Sequence, residues 1–380
     1  MRVLHAIATV HKEGGGTSEV VPRLCRAQKE LGHEVTLATL RTADVSDSTT
    51  QAIKTGVIYD GTSERQLVGP LRQLGYSRYF GHVLEKWVKW ADIVHVHGLW
   101  MWPMWAAGWE ARRQGKPYVM MPHGFLDPER LKISKWKKRF VGAFCDKPLL
   151  QAANGIVATS KSELNGIRQY GISCPAHVMP IGIDLSQYAA RESPADRHEK
   201  TLLYFSRITP IKGLDLLADA WGQVAQRGLA KGWKLLIVGP DDRGYAEAMK
   251  KLYAEKCLQG SFEFRGPVFG ADKFTLLQSV DAMILPTRSE NWSIAVAEGM
   301  ASGLPVVCTK GAPWECLNTA KAGWWVDVSV DAIRQGLESL LALSDNDRHE
   351  LGLRGRKWVE DNLSWSQIAT DLIDFYRRFM

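Results

Sequence analysis

The chain has 380 residues, 45% of them apolar and 23% charged, which is globular usage and excludes a disordered or fibrous protein. Its length suits two or three domains, and no stretch reaches the ~18 uninterrupted apolar residues of a membrane-spanning helix. The net charge of +7 is uneven: residues 1–190 carry 24 Lys and Arg against 16 Asp and Glu, and residues 191–380 carry 24 against 25, so an anionic partner is expected at the N-terminal half. Met1-Arg2-Val3-Leu4 enters an apolar run without a secretory h-region, and the six cysteines include no C-x-x-C pair, so a cytoplasmic, reducing location is expected.

Short β-branched runs alternate with helical stretches along the chain. The spacing predicts strands at Val3–Val10, Glu34–Leu40, Ile93–His97, Pro117–Met121, Gly155–Ser160 and His177–Ile181. A second series follows at Leu202–Phe205, Leu235–Val238, Phe262–Arg265, Ala282–Leu285, Pro305–Thr309 and Gly323–Val326. The runs are mostly apolar on both faces, the pattern of a parallel sheet covered by helices on both sides. The polar stretch Gln187–Lys200 reads as a linker, which gives an N-terminal domain over 1–186 and a C-terminal domain over 187–364. The fold class is therefore α/β, with two doubly wound, Rossmann-like domains expected to face each other across a cleft. Ligands of such sheets bind beyond the carboxyl ends of the strands.

Three motifs lie at such ends. Glu13-Gly14-Gly15-Gly16-Thr17-Ser18-Glu19 follows the first strand and opens a helix, where glycine backbone and free N–H groups suit an anion; a plain tight turn explains it equally well. Ser206-Arg207-Ile208-Thr209-Pro210-Ile211-Lys212-Gly213 puts a guanidinium and an ammonium five residues apart after the strand at 202–205, suited to a diphosphate or simply to solvent. Glu290-Asn291-Trp292-Ser293 leads into a helix, with Glu290 and the amides of residues 291–293 at its mouth and Glu298 about a turn and a half inside, suited to a polyhydroxylated, phosphorylated ligand or simply two surface glutamates.

Taken together these motifs resemble the family-4 glycosyltransferases, retaining enzymes of the GT-B fold that use nucleotide-sugar donors. The resemblance extends through Leu31-Gly32-His33-Glu34-Val35, Asp92-Ile93-Val94-His95-Val96-His97-Gly98, Pro122-His123-Gly124, Ala158-Thr159-Ser160-Lys161-Ser162-Glu163, Pro180-Ile181-Gly182-Ile183-Asp184 and the E-x7-E pair of Glu290 and Glu298. Gly-Ala-Pro-Trp at 311–314 is similar to bacterial polysaccharide-assembly members. The resemblance implies that Glu298 holds the donor ribose and that Glu290, Asn291, Trp292 and Ser293 meet the sugar and phosphate. It implies that Arg207 and Lys212 neutralise the diphosphate, that Gly15, Gly16 and Thr17 line it, and that His123 binds sugar hydroxyls near the anomeric carbon. It also implies that the helix at 365–380 packs back on the first domain. Ser206 stands where the family commonly has Gly, and Trp292-Ser293 where it has Phe-Gly.

The expected activity is transfer of a hexose from a UDP- or GDP-sugar to a saccharide acceptor, lipid-linked, in surface polysaccharide assembly. A nucleotide-sugar epimerase and a non-catalytic sugar-nucleotide binder are the alternatives. No cofactor or metal is expected: Asp345-Asn346-Asp347 has the D-x-D spelling but falls in a polar turn, and His95 with His97 lacks an evident third ligand. The run Arg130–Phe140 is basic with interleaved aromatics, suited to an anionic lipid surface or to solvent, and no nucleic-acid module accompanies it. Trp100-Met101-Trp102-Pro103-Met104-Trp105 with Trp109 suits stacking on sugar rings or an ordinary core helix.

Overall fold

The computed structural model describes residues 1–11, 16–41, 45–63, 74–126, 142–189, 198–242, 244–257 and 260–380. The chain divides into two units, Met1–Gly182 with Trp365–Met380, and Ile183–Ser364.

The first unit is built on seven strands: β1 (Arg2–Ile7), β2 (Glu34–Arg41), β3 (Ile58–Ser63), β4 (Ile93–His97), β5 (Tyr118–Met121), β6 (Gly155–Ala158) and β7 (Ala176–Val178). Their order is β3-β2-β1-β4-β5-β6-β7, every pair parallel. Successive residues go to opposite faces. Leu4, Ala6, Val94, Val96 and Met120 pack against the helices Arg78–Trp90 and Trp102–Arg113. Val3, Ile93, Val119 and Met121 pack with Leu24 and with Ile368, Leu372 and Tyr376 of the helix Trp365–Arg377. The tryptophan-rich segment is largely core: Met104 and Trp105 are buried, and Trp109 is exposed.

The second unit has β8 (Lys200–Phe205), β9 (Trp233–Val238), β10 (Phe262–Arg265), β11 (Ala282–Leu285), β12 (Val306–Thr309) and β13 (Gly323–Val326), ordered β10-β9-β8-β11-β12-β13 and again all parallel. In each sheet the order reverses beside the first strand, at β1/β4 and at β8/β11, where doubly wound sheets open a crevice.

Two features depart from the sequence reading. β3 lies at the sheet edge, and its Ile58 is exposed, so it lacks the two-faced apolar signature. Tyr188, assigned to the linker, is buried in the second unit, where its hydroxyl meets Glu298 at 3.0 Å. Ile183 starts that unit by donating to the carbonyl of Leu363 at 2.8 Å.

Candidate active site

Three loops converge at the carboxyl ends of β8, β11 and β12. The loop after β8 carries Arg207, exposed and unpaired with any carboxylate among the described residues, and Lys212, buried on a 3-10 turn over Pro210–Lys212. Gly213 follows with φ +71°, and a Cβ there would lie 2.0 Å from the carbonyl oxygen of Pro286 in the loop after β11. Only glycine allows that approach. The Arg288 amide donates to the carbonyl of Ile211 at 2.8 Å, and its guanidinium forks onto Asp215 at 2.8 and 2.6 Å. The Glu290 amide donates to the carbonyl of Gly311 after β12 at 2.7 Å. These bonds bring the Glu290 carboxylate onto the Lys212 ammonium as an ion pair.

The helix Ile294–Ala301 begins after Ser293, and Glu298 is its fifth residue. The Glu298 side chain is buried and accepts from Lys273 Nζ at 2.6 Å and from the Tyr188 hydroxyl at 3.0 Å. Neither partner was found from sequence, because each comes from a distant segment without a recognisable spacing to the E-x7-E pair. Trp292 packs on the buried Trp314 with ring centroids 4.8 Å apart, and Trp314 Nε1 donates to the Trp292 carbonyl. The Trp292 Nε1–H is itself buried and unpartnered among the described residues.

Ser293 holds φ +72° with no capping bond from its side chain. An L side chain in this left-handed region costs about 1–2 kcal/mol, and glycine gives back part of the difference in entropy. Ser293→Gly is expected to raise the melting temperature of the second unit by roughly 2–4 °C, for a gain of about 1 kcal/mol. A lowered melting temperature in calorimetry would show that Ser293 is not strained.

In the first unit the predicted residue is His123. It occupies φ +56° in the turn after β5 and is buried. Glu163 fixes that turn: Oε1 accepts the Gly124 amide at 2.5 Å, while Oε2 accepts the Thr159 amide and hydroxyl at 2.7 and 2.8 Å. Behind His123 lies a file of buried imidazoles. His123 Nε2 is 3.0 Å from His97 Nδ1, His97 Nε2 is 2.9 Å from His5 Nδ1, and His5 Nε2 is 2.7 Å from Gln28 Oε1. His95 Nδ1 is 2.5 Å from the Tyr376 hydroxyl. The parallel register sets His5 opposite His95, so β1 supplies the third imidazole that sequence spacing failed to show. Among the described residues His5, His95 and His97 form the one cluster that could hold a metal, with the facing nitrogens of His5 and His97 already joined to each other.

Burial makes the charged imidazole costly, lowering His5 and His123 to about 4 and His95 and His97 well below their ordinary value. A base whose folded pKa is depressed resists protonation in the native state only. Its contribution is complete above the unfolded value near 6.5 and is lost as pH falls toward 4. Asp146, raised to about 6 by burial, has the opposite sign over nearly the same window, and the histidines outnumber it. Denaturant unfolding is therefore expected to show the first unit losing stability as pH falls from about 6.5 to about 4. A flat profile there would mean that the file already carries charge.

Of the other predicted residues, Gly16 and Thr17 open the helix Gly16–Glu30, whereas Gly15 and the basic run Arg130–Phe140 lie outside the described residues. Asp345 and Asp347 occupy the first turn of the helix Asp345–Asn362, capped by Ser344, whose hydroxyl oxygen accepts the Asp347 amide at 3.1 Å.

Comparison with known proteins bears on what these loops do. Residues 14–187 match the family model "Glycosyltransferase Family 4", and residues 199–343 match "Glycosyl transferases group 1". This chain belongs to glycosyltransferase family 4. It is 25% identical to the D-inositol 3-phosphate glycosyltransferase of Jonesia denitrificans, over 96% of this chain and 92% of that one. It is also 25% identical to the GDP-mannose:cellobiosyl-diphosphopolyprenol alpha-mannosyltransferase of Xanthomonas oryzae, over 99% and 96%. The solved structure of Anabaena Alr3699/HepE in complex with UDP superposes with a TM-score of 0.74 at 16% identity, covering all of both chains. The fold is GT-B, and this family-4 chain is a hexosyltransferase. Among the described residues no helix is long and apolar enough to cross a membrane.

Proposed function

We propose that the protein transfers a hexose, with retention and without a metal, from a UDP- or GDP-sugar to a lipid-linked saccharide in bacterial surface polysaccharide assembly. The observation that carries this reading is the gathering of Arg207, Lys212, Glu290 and Glu298 at the carboxyl ends of β8 and β11. The buried Glu298 carboxylate suits ribose hydroxyls. Arg207 and Lys212 face the charge that grows on the diphosphate as the C1–O bond breaks, and fixed cations stabilise that charge without reorganising. Glu290 and the Asn291–Ser293 segment meet the sugar, Gly15, Gly16 and Thr17 line the diphosphate, and His123 accepts from a sugar hydroxyl. The acceptor oxygen attacks C1 on the face the diphosphate leaves, and the acceptor proton passes to the departing diphosphate.

The lipid-linked acceptor is supported by the Xanthomonas relative, whose name specifies a diphosphopolyprenol. On this reading the enzyme works at the inner face of a membrane, with Arg130–Phe140 as the contact with anionic lipid. The test is turnover of GDP-mannose and UDP-glucose, in chelator, with polyprenyl-diphosphate-linked saccharides. The expected product is an α-linked extension of the lipid-linked acceptor. Transfer only when a divalent metal is added, or a β-linked product, would overturn the reading.

A further inference from the structure

The file behind His123 has a direction. A neutral imidazole carries one N–H and one lone pair, so fixing the proton on one ring fixes it on the next. Gln28 Oε1 can only accept, which places a proton on His5 Nε2 at 2.7 Å. His5 Nδ1 is then a lone pair and accepts from His97 Nε2–H at 2.9 Å. His97 Nδ1 in turn accepts from His123 Nε2–H at 3.0 Å. The order follows from the amide orientation that turns Oε1 to His5 and leaves Gln28 Nε2 buried without a partner among the described residues, and water offers no alternative, because Gln28, His5 and His97 are at most 1% exposed. Burial also keeps all three rings neutral.

We propose that Gln28, His5 and His97 are positioning residues that hold His123 as the Nε2–H tautomer, so that its Nδ1 lone pair is presented to a hydroxyl of the transferred hexose. The file spans three elements: Gln28 from the helix Gly16–Glu30, His5 from β1 and His97 from β4. Glu163 holds the backbone of the same turn through Gly124, so ring and backbone are fixed from separate directions. A hydrogen bond from a sugar hydroxyl to Nδ1 requires this polarity. With the Gln28 amide reversed, each proton would shift to the other nitrogen and His123 would present an N–H instead, to which the hydroxyl could only accept.

The sugar clause rests on the function proposed above, whereas the tautomer can be read without substrate. The experiment is long-range nitrogen–proton NMR of the full chain labelled at histidine, with the His123 signals assigned by their loss in His123→Gln. The expected wild-type pattern is a protonated Nε2 and a bare Nδ1. In Gln28→Met the acceptor is gone, and His123 should become a mixture of tautomers, with kcat/KM falling on the order of tenfold, well short of the cost of an inverted tautomer in a catalytic triad. A wild-type His123 protonated on Nδ1, or carrying both protons at neutral pH, overturns the proposal even if the variant fails to fold. So does a Gln28→Met protein whose His123 tautomer is unchanged. Full transferase activity in His123→Ala with the tautomer as expected would instead overturn the role of His123 at the sugar.

Discussion

Glu298→Ala is expected to lower kcat/KM by about 10²–10³-fold, chiefly through KM for the nucleotide sugar. A carboxylate accepting two ribose hydroxyls makes two charge-assisted hydrogen bonds of about 1.5–3 kcal/mol each. Those bonds form in the ground state and persist in the transition state, so their loss falls on binding rather than on the chemical step. The same substitution removes the partner of Lys273 and one acceptor of Tyr188. Breaking a buried pair from one side costs about 3–5 kcal/mol, so the variant should also melt earlier. Glu298→Gln separates the two effects. It keeps the shape and an acceptor for Tyr188, and should recover stability while KM stays raised. Steady-state kinetics beside calorimetry on both variants decides this: a wild-type KM in Glu298→Ala would remove the residue from the donor site.

Lys212→Met should act on the other parameter, lowering kcat by about 10²–10³-fold. A fixed cation facing the leaving diphosphate strengthens its interaction as the bond breaks, and one such preorganised donor is worth about 2.7–4 kcal/mol. Lys212 is suited to that role because it is buried, its turn is fixed by Gly213 against Pro286, and its ammonium stands at the end of β8. Its ammonium pairs with the Glu290 carboxylate. Lys212→Arg should not fully rescue the activity, since a planar fork does not place its charge where the buried ammonium does. Single-turnover rates at saturating donor measure this directly. A rate within about threefold of wild type would show that Arg207 and backbone amides carry the diphosphate without it.

The inner strands of the second unit, β8, β9, β11 and β12, were legible because they are largely buried and so read as short apolar runs, and its partly buried edge strands β10 and β13 were legible through their aromatic residues. β3 escaped because an edge strand with Ile58, Tyr59 and Asp60 has no such signature. The cations and the two glutamates were legible because each set lies in one continuous segment beside one strand end. Lys273 and Tyr188 were not, since only the packing of separate elements brings them to Glu298. His5 was missed for a related reason: strand register, not sequence separation, aligns it with His95. The strain at Ser293 was half visible, as a serine where the resemblance calls for glycine, but the sign of φ came from the structure.

The most direct measurement is the thermal shift of the whole chain with UDP, GDP, ADP and their common hexose conjugates, in chelator, for wild type and Glu298→Ala. A ligand bound only by the native state adds about 2.7 kcal/mol at a hundred times its dissociation constant, enough to move the transition clearly. The account predicts stabilisation by one nucleotide family, undiminished by chelator and absent in Glu298→Ala. Stabilisation by none of them, or one that survives the loss of Glu298, would contradict the assignment of the β8 and β11 loops as the donor site.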